Sequence, residues 1–197
     1  MDDVKSSGNR KESTVPTVKV KRRLKPGMGK QKGAGFEGTV AKKLSTALAP
    51  LTFIRTPGSG ARVGGKNFET FGKMFGADAM KIFVGDVVPT NERDTNLNFK
   101  FSVECKSYKS SDSFETMVAG NSNIFKWMQE SVIDAAKINK LPLLIFKWNH
   151  TPIYVAALSE HNIAAPRLHL RQGSASIDIF YLDDLLVDQS IWVCKSE

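Results

Sequence analysis

The fold is decided by the stretch FKFSVECKS, residues 99–107, which is the clearest strand pattern in the chain. Successive side chains of a β-strand point to opposite faces of the sheet, so alternate residues share a face. One face is apolar and is expected to join the core, since it carries Phe99, Phe101, Val103 and Cys105. The other face carries Lys100, Ser102, Glu104 and Lys106. It sets a carboxylate about 6.5–7 Å along the strand from an ammonium group.

Apolar periodicity predicts helices and strands on both sides of this strand. Upstream we expect a helix over 36–48 closed by Pro50, a strand over 51–55, a glycine-rich connection over 56–78, a strand over 80–84 and a polar turn over 91–98. Downstream we expect a mobile loop over 108–121, a helix from Ser122 or Asn123 to about Asn139, and strands over 141–148 and 152–158 paired around Asn149-His150. A strand over 176–180, a short helix over 182–187 and a strand over 191–195 follow. The order predicts an α/β fold, in which a mixed β-sheet with an α-β-β-β-α-β core is flanked by helices.

Positive charge is concentrated at the N-terminus. The first 32 residues hold ten basic and three acidic side chains, an excess of seven, while the whole chain carries a net +8. We expect residues 1–33 to be a disordered, flexible basic arm that contacts a polyanion such as nucleic acid. The alternative is a tail that only keeps the protein soluble. Residues 34–197 are expected to form a single domain, with a core over about 34–158 and a C-terminal extension over 159–197.

The composition also excludes several classes of protein. The two cysteines, Cys105 and Cys194, lie far apart and form neither a disulfide framework nor a CxxC metal pair. No apolar run is long enough to span a membrane, and the charged start lacks the apolar region of a signal peptide. We therefore expect an intracellular protein.

A second acid, Asp86, follows the strand predicted over 80–84, after Gly85. Taken alone, Asp86 is typical of a turn at the end of a strand. Taken alone, Glu104 and Lys106 could form an ordinary surface ion pair, which is worth at most about 1 kcal/mol. If the segment around Asp86 pairs with the strand of Glu104, two carboxylates converge, and two such charges need a compensating cation. Oxygen ligands of this kind suit Mg²⁺.

Two further polar residues fall on apolar helix faces. At about 100° per residue, Glu37 lies on the stripe of Leu44 and Leu48, where it either reaches a site or interacts with the helix dipole. Gln129 lies about 40° from Phe125. A buried glutamine needs a partner, and a satisfied structural amide is the alternative to a functional role.

The loop of residues 55–62, RTPGSGAR, is basic, flexible and rich in hydroxyl groups. Its backbone amides, Arg55 and Arg62 could hold phosphates. It lacks the Gly-Lys-Ser/Thr end of a nucleotide-binding P-loop, so a simple glycine-rich turn is the alternative.

Taken in order, these motifs resemble the PD-(D/E)xK nuclease superfamily. The pattern is Gly35-Phe36-Glu37, then Arg55-Thr56-Pro57-Gly58-Ser59-Gly60, Gly85-Asp86, Val103-Glu104-Cys105-Lys106, and a helix with Gln129. Within the superfamily the chain is most similar to archaeal-type and phage Holliday junction resolvases, over roughly residues 33–158. The resemblance implies a restriction-endonuclease-like fold and a nuclease domain over 34–197.

The resemblance also implies a role for each matching residue. Asp86 and Glu104 would bind the metal, with the backbone carbonyl of Cys105 as a further ligand, and Glu37 would touch the metal shell through water. Lys106 would orient or activate the attacking water and stabilise the developing phosphorane charge.

Other matching positions lie around this centre. Ser59 would lie near the scissile phosphate, and Gln129 would brace the site from its helix. The DNA contacts expected from basic residues are Lys32, Arg55, Arg62 and Lys66.

The chain departs from the family pattern at three places. Gly85 stands where the family has proline. The connection between Ser59 and Asp86 is long, so Glu69 or Asp78 could compete with Asp86. The basic arm and the last forty residues are additional.

These observations predict a Mg²⁺-dependent endodeoxyribonuclease, with Mn²⁺ as a substitute, that acts on branched or duplex DNA as a Holliday junction resolvase. Paired symmetric nicks favour a twofold homodimer, with Trp148 or Trp192 as candidate interface residues. The resemblance implies a role in recombination and repair in the cytoplasm or nucleoid of a prokaryotic or phage-infected cell. The alternatives are a nicking, flap or restriction-like nuclease, and a basic nucleic-acid-binding protein without catalysis.

Overall fold

The structure is a computed structural model and describes residues 28–56 and 83–195, with side chains from Gly33 onward. The helices are α1 Met28–Ala47, α2 Glu92–Thr95, α3 Phe114–Val118, α4 Asn123–Ala136 and α5 Leu182–Leu185, with 3-10 turns at Ser159–His161 and Gln189–Ile191. The strands are β1 Phe53–Arg55, β2 Val87–Pro89, β3 Leu97–Phe99, β4 Phe101–Tyr108, β5 Leu141–Trp148, β6 Tyr154–Leu158, β7 Leu168–Gln172, β8 Ala175–Tyr181 and β9 Val193–Lys195.

Within residues 28–56 and 83–195, seven strands form one mixed sheet in the order β1-β2-β4-β5-β6-β8-β7, and β3 pairs with β9 in a separate two-stranded sheet. Strands β4 and β5 are parallel, and the other neighbours are antiparallel. Parallel neighbours need a crossover connection, which is supplied here by the segment that contains α4. The predicted mixed sheet flanked by helices is confirmed.

Hydrophobic cores lie on both faces of this sheet. On one face, α1 packs through Phe36, Val40 and Leu44 against the apolar side of β4 and β5. On the other face, α4 packs against Leu144 and Phe146 of β5. Because adjacent residues of β5 enter different cores, this strand is buried on both sides, which explains its continuous apolar sequence.

Several predicted elements are confirmed with small shifts. Strand β5 has the predicted bounds, and α4 begins directly after Ser122, whose hydroxyl accepts a hydrogen bond from the Ile124 amide. Helix α1 begins at Met28, earlier than the predicted residue 36. It therefore crosses the boundary expected between arm and domain, and residues 1–27 lie outside the described part of the chain.

The strand predicted over 80–84 is wrong for the residues described there. Phe83 and Val84 form a turn, and the strand begins only after Asp86, as β2. The reason is a contact distant in sequence, because the Asp86 amide donates a hydrogen bond of 2.7 Å to the Val103 carbonyl. This bond fixes the chain beside β4 after the turn at Gly85.

Other segments are more regular than predicted. The polar turn over 91–98 contains α2 and the start of β3, and the loop over 108–121 contains α3, whose first turn is capped by Ser113. Strand β7, which was not predicted, pairs with β8 through a turn at Gly173. Residues 168–181 thus extend the main sheet.

Two tryptophans proposed as interface residues lie elsewhere. Trp192 is fully buried, stacks on Phe99 and donates a hydrogen bond from its indole to the Leu185 carbonyl. Trp148 is partly buried against Phe146. Both residues serve the cores of one chain, and Trp192 is unavailable for contacts between chains.

Within the described residues, no helix combines the length and the apolar character needed to cross a lipid bilayer.

Gly85 is predicted to be irreplaceable for steric reasons. Its φ is +89°, and a Cβ atom there would lie 2.9 Å from the Val103 carbonyl oxygen. Gly173 also has a positive φ, +58°, but a Cβ atom there would meet no atom within 4 Å. We expect Gly85→Ala to lower the free energy of unfolding by roughly 2–4 kcal/mol and Gly173→Ala by roughly 1 kcal/mol. Urea denaturation of both variants measures this, and equal losses would contradict the steric argument.

Candidate active site

Glu104 and Lys106 lie side by side on the α4 face of β4. Their neighbours Val103 and Cys105 belong to the core on the α1 face, so strand alternation directs Glu104 and Lys106 the other way. The Lys106 Nζ donates a hydrogen bond of 2.6 Å to the Glu104 Oε1. The side chains are only 22% and 19% exposed, so this is a sheltered pair rather than a solvated surface ion pair.

Asp86 is attached to β4 by its backbone and by its side chain. Its amide binds the Val103 carbonyl, and its Oδ2 accepts a hydrogen bond of 2.8 Å from the Cys105 amide. Its carbonyl accepts a further bond from the Thr56 amide at the end of β1. The Asp86 carboxylate thus accepts the hydrogen bond that the Cys105 amide would otherwise donate to a neighbouring strand. This bond holds the carboxylate next to Glu104.

The two carboxylates influence one another. Burial and the charge of Asp86 raise the pKa of Glu104 to about 7, although Lys106 acts in the opposite direction. Asp134 of α4 adds a smaller contribution that also raises this pKa. Glu104 is therefore a group that a nearby cation would help to ionise at neutral pH.

Lys106 is held as an ammonium ion. Burial lowers its pKa, but the charge and hydrogen bond of Glu104, together with the charges of Asp86 and Glu130, more than offset this, so the pKa is raised. A lysine in this state carries a positive charge at neutral pH and has no free electron pair with which to accept a proton. The arrangement suits Lys106 to neutralising phosphate charge rather than to acting as a general base.

The thiol of Cys105 also lies near these acids. Burial first, and then the charges of Asp86, Glu104 and Glu37, raise its pKa well above the ordinary value. The thiol stays protonated and packs in the core. Only its backbone groups are available to the site, and its amide is already bound to Asp86.

Glu37 has a different immediate partner from the one expected. Its Oε2 accepts a hydrogen bond of 2.5 Å from the Arg55 Nε. Arg55 follows Phe53 on the same face of β1, so the pair lies on the α1 side of the sheet. The structure therefore joins two predicted functional residues to each other, on the opposite side of the sheet from Glu104 and Lys106.

Gln129 is exposed, so the expectation of a buried amide is wrong. The buried positions of α4 are Ile124, Phe125, Trp127, Met128, Ser131 and Ala135. Phe125, from which Gln129 was expected to lie about 40°, belongs to this buried stripe, but Gln129 itself does not. Gln129 instead lines a cavity of about 330 Å³ with Phe125, Lys126 and Gln172 among others.

The residues of α4 that reach the site are two acids that sequence reasoning missed. The Glu130 Oε2 lies 3.7 Å from the Lys106 Nζ, and the charge of Asp134 acts on Glu104. They lie four residues apart, on one helix face. That spacing was visible in the sequence, but an exposed acidic pair is too common on helices to indicate a site.

Several predicted site residues cannot be placed. Ser59, Arg62 and Lys66 lie outside the described residues, as do the competing acids Glu69 and Asp78. Lys32 lies on α1, but its side chain is outside the described part. Their roles stay predictions.

The donor set fits a magnesium ion held by two carboxylates. In residues 28–56 and 83–195, no group of three or more His, Cys, Asp and Glu side chains is arranged to hold a metal ion. The three acids Glu37, Asp86 and Glu104 therefore do not form one ligand set there. Mg²⁺, however, keeps several waters and usually takes only one or two protein carboxylates. Asp86 and Glu104 supply two, and their mutual repulsion would be relieved by a cation.

The raised pKa of Glu104 predicts a pH-dependent cost to stability. The stabilising contribution of the protonated group is complete below the ordinary value of 4.5 and is lost as the pH rises through about 7. Glu104→Gln mimics the protonated group. Between pH 5 and pH 8.5, we expect wild type without metal to lose roughly 1–3 kcal/mol more than this variant. Urea denaturation in EDTA measures the difference, with exposed Glu160→Gln as control. Equal pH dependence in wild type and Glu104→Gln would refute the prediction.

Comparison with known proteins places this chain in a family. Residues 28–177 match the sequence family described as "Phage putative PDDEXK endonuclease", and no curated protein matches the chain. The solved structure of Archaeoglobus fulgidus Hjc, a Holliday junction resolvase from an archaeal hyperthermophile, is similar at 14% identity, over 77% of this chain and 85% of that one, with a TM-score of 0.37. The family match spans about three quarters of the sequence, and the chain therefore belongs to the PDDEXK endonucleases.

Proposed function

We propose that the chain is a divalent-metal-dependent DNA endonuclease that hydrolyses phosphodiester bonds in branched DNA, with the four-way junction as its substrate. The observation that carries the proposal is the sheltered cluster of Asp86, Glu104 and Lys106. A buried carboxylate, Asp86, beside the sheltered Glu104, whose pKa is raised, favours binding of a cation. An adjacent ammonium group favours binding of a phosphate. A basic nucleic-acid-binding protein without catalysis needs neither feature.

Each residue of the cluster has a distinct task. Asp86 and Glu104 would hold the metal, and the carbonyl of Cys105 is the third candidate ligand. Bound Mg²⁺ would supply Lewis-acid polarisation of the phosphate and a bound water of lowered pKa. Glu104 must be deprotonated to serve as a ligand, and since only its Oε1 accepts the hydrogen bond from Lys106, its second carboxylate oxygen would be available to the metal. Lys106 then directs its charge to the phosphate, and Glu130 keeps the ammonium group in place from α4.

The remaining predicted residues belong to the periphery of the proposed site. Arg55 is about half exposed beside Glu37 and can contact a phosphate once it turns from that carboxylate. Ser59, Arg62, Lys66 and Lys32 are proposed as further DNA contacts on the basis of the family pattern alone.

The choice of a junction rests on the order of the sequence motifs, which is most similar to that of archaeal-type and phage resolvases. Resolution requires two symmetric nicks, so we propose a homodimer that places two sites across a twofold axis. Its working place would be with DNA in a prokaryotic or phage-infected cell. A nuclease for flaps, nicks or duplexes shares the same chemistry and is distinguished by substrate.

Removing Lys106 is expected to abolish cleavage without preventing metal binding. Lys106→Ala should lower the rate of Mg²⁺-dependent junction cleavage about 100-fold or more, the loss typical of removing one group that stabilises transition-state charge. Lys42→Ala, which removes an exposed lysine of α1, is the matched control. The assay follows a labelled immobile four-way junction, a flap and a linear duplex in Mg²⁺ or EDTA.

The outcomes of this assay separate the candidates. Paired symmetric nicks in the junction alone support a resolvase, while cleavage of every substrate supports a nuclease of broader specificity. Tight binding with no cleavage in Mg²⁺ or Mn²⁺ would exclude the proposed function and favour the non-catalytic alternative.

Metal binding is expected to stabilise the folded chain and to do so more strongly at higher pH. A ligand present at 100 times its Kd raises the free energy of unfolding by about 2.7 kcal/mol. Because Glu104 must lose a proton with a pKa of about 7, the stabilisation should grow between pH 6 and pH 8. Thermal melting with Mg²⁺, Mn²⁺ or EDTA measures it. Asp86→Asn should remove the effect, whereas an unchanged metal response in that variant would rule out the proposed ligand.

A further inference from the structure

The row of side chains that contains Glu104 and Lys106 continues to Tyr108. All three residues lie on one face of β4, at alternate positions. Tyr108 is the last residue of the strand and lies two residues beyond Lys106, a distance of about 6.5–7 Å along the strand. A nucleotide whose phosphate contacts Lys106 therefore brings a neighbouring base within reach of this ring.

One face of the Tyr108 ring is fixed against a buried tryptophan. The ring centres of Tyr108 and Trp127 are 4.7 Å apart, and their planes differ by 19°. Trp127 belongs to α4 and packs in turn against Phe146 of β5, with ring centres 6.4 Å apart. Tyr108 is thus the outermost ring of an array that extends into the core, and its orientation is set before any ligand binds.

The Tyr108 side chain is also partly open to solvent. Tyr108 is 48% exposed, while Trp127 behind it is buried. A parallel stack covers one ring face, so the exposed surface includes the second face. Exposed lysines flank the pair in sequence, with Lys109 after Tyr108 and Lys126 before Trp127. A flat aromatic surface beside cationic side chains suits a nucleobase and its phosphates.

We propose that Tyr108 is a stacking platform for an unpaired or end-exposed nucleobase of the nucleotide next to the scissile phosphate. The proposal rests on the proposed function and adds a specificity determinant to it. In a continuous duplex both faces of each base are covered by neighbouring bases. The ring can be used only where a neighbour is missing, as at a branch point, a flap or a gap. Tyr108 thereby favours interrupted DNA over intact duplex without reading sequence.

The test is a double-mutant cycle in which one change removes the Tyr108 ring and the other removes bases from the DNA. Wild type and Tyr108→Ala bind a four-way junction with all its bases, and the same junction with abasic sites at its branch-point nucleotides. Binding is measured by fluorescence anisotropy in EDTA, so that it is independent of cleavage. Tyr108→Phe keeps the ring, and Tyr181→Ala removes a comparable exposed tyrosine from β8.

We expect Tyr108→Ala to weaken binding of the intact junction about 5- to 100-fold, the range for loss of one base–aromatic stack. Wild type should lose the same factor on the abasic junction, and the combined changes should cause no further loss. Tyr108→Phe and Tyr181→Ala should bind like wild type. Tyr108→Leu still covers Trp127 and should show the same loss, which keeps the test valid if melting shows Tyr108→Ala to be unfolded.

Two results would overturn the platform. One is unchanged binding of the intact junction by both Tyr108→Ala and Tyr108→Leu. The other is a loss that is equally large on abasic DNA, because the effect would then not involve a base. Cleavage of the junction by wild type in Mg²⁺ is scored separately. Base-dependent binding through Tyr108 without cleavage would contradict the proposed nuclease function and support Tyr108 as a base-stacking residue. Cleavage without any effect of the Tyr108 variants on binding would support the nuclease function and contradict the stacking role.

Discussion

The hydrogen bond from the Cys105 amide to the Asp86 carboxylate connects the fold to the site. Strand β2 pairs with β4 in register only at Val87 and Val103, so the side chain of Asp86 supplies a contact that the backbone of a longer strand would otherwise make. The approach requires a residue without a side chain at position 85, because any Cβ atom would collide with β4. The same contact that attaches β1 and β2 to the sheet fixes one acid of the site.

Fixing Asp86 there has an electrostatic consequence for the whole cluster. The second acid, Glu104, lies close enough that its pKa rises to about 7, even though Lys106 is hydrogen-bonded to it. The arrangement is unfavourable for the folded protein at neutral pH without a cation. Such local cost is expected where a site is organised for a ligand rather than for stability. The charge on Lys106 and the acids of α4 complete a cluster that a metal ion and a phosphate would balance.

The two faces of the central strands β4 and β5 differ in what they carry. The α1 face of β4 and β5 is a continuous core, and it holds the backbone of the site rigid. The α4 face carries the charged row of β4 and, beyond it, the aromatic array of Tyr108, Trp127 and Phe146. The proposed chemistry and the proposed DNA contact thus share one face, while packing supports them from the other.

The sequence by itself determined what depends on local periodicity. Alternation along residues 99–107 predicted both the buried face of β4 and the pairing of Glu104 with Lys106, because a strand has a period of two whatever surrounds it. The start of α4 at Ser122 or Asn123 and the bounds of β5 followed from equally local signals. Only the tertiary structure decided that a turn precedes Asp86 and a strand follows it, that Glu37 pairs with Arg55, and that α4 presents Glu130 rather than Gln129. Those outcomes depend on contacts between residues far apart in the chain, which no local pattern encodes.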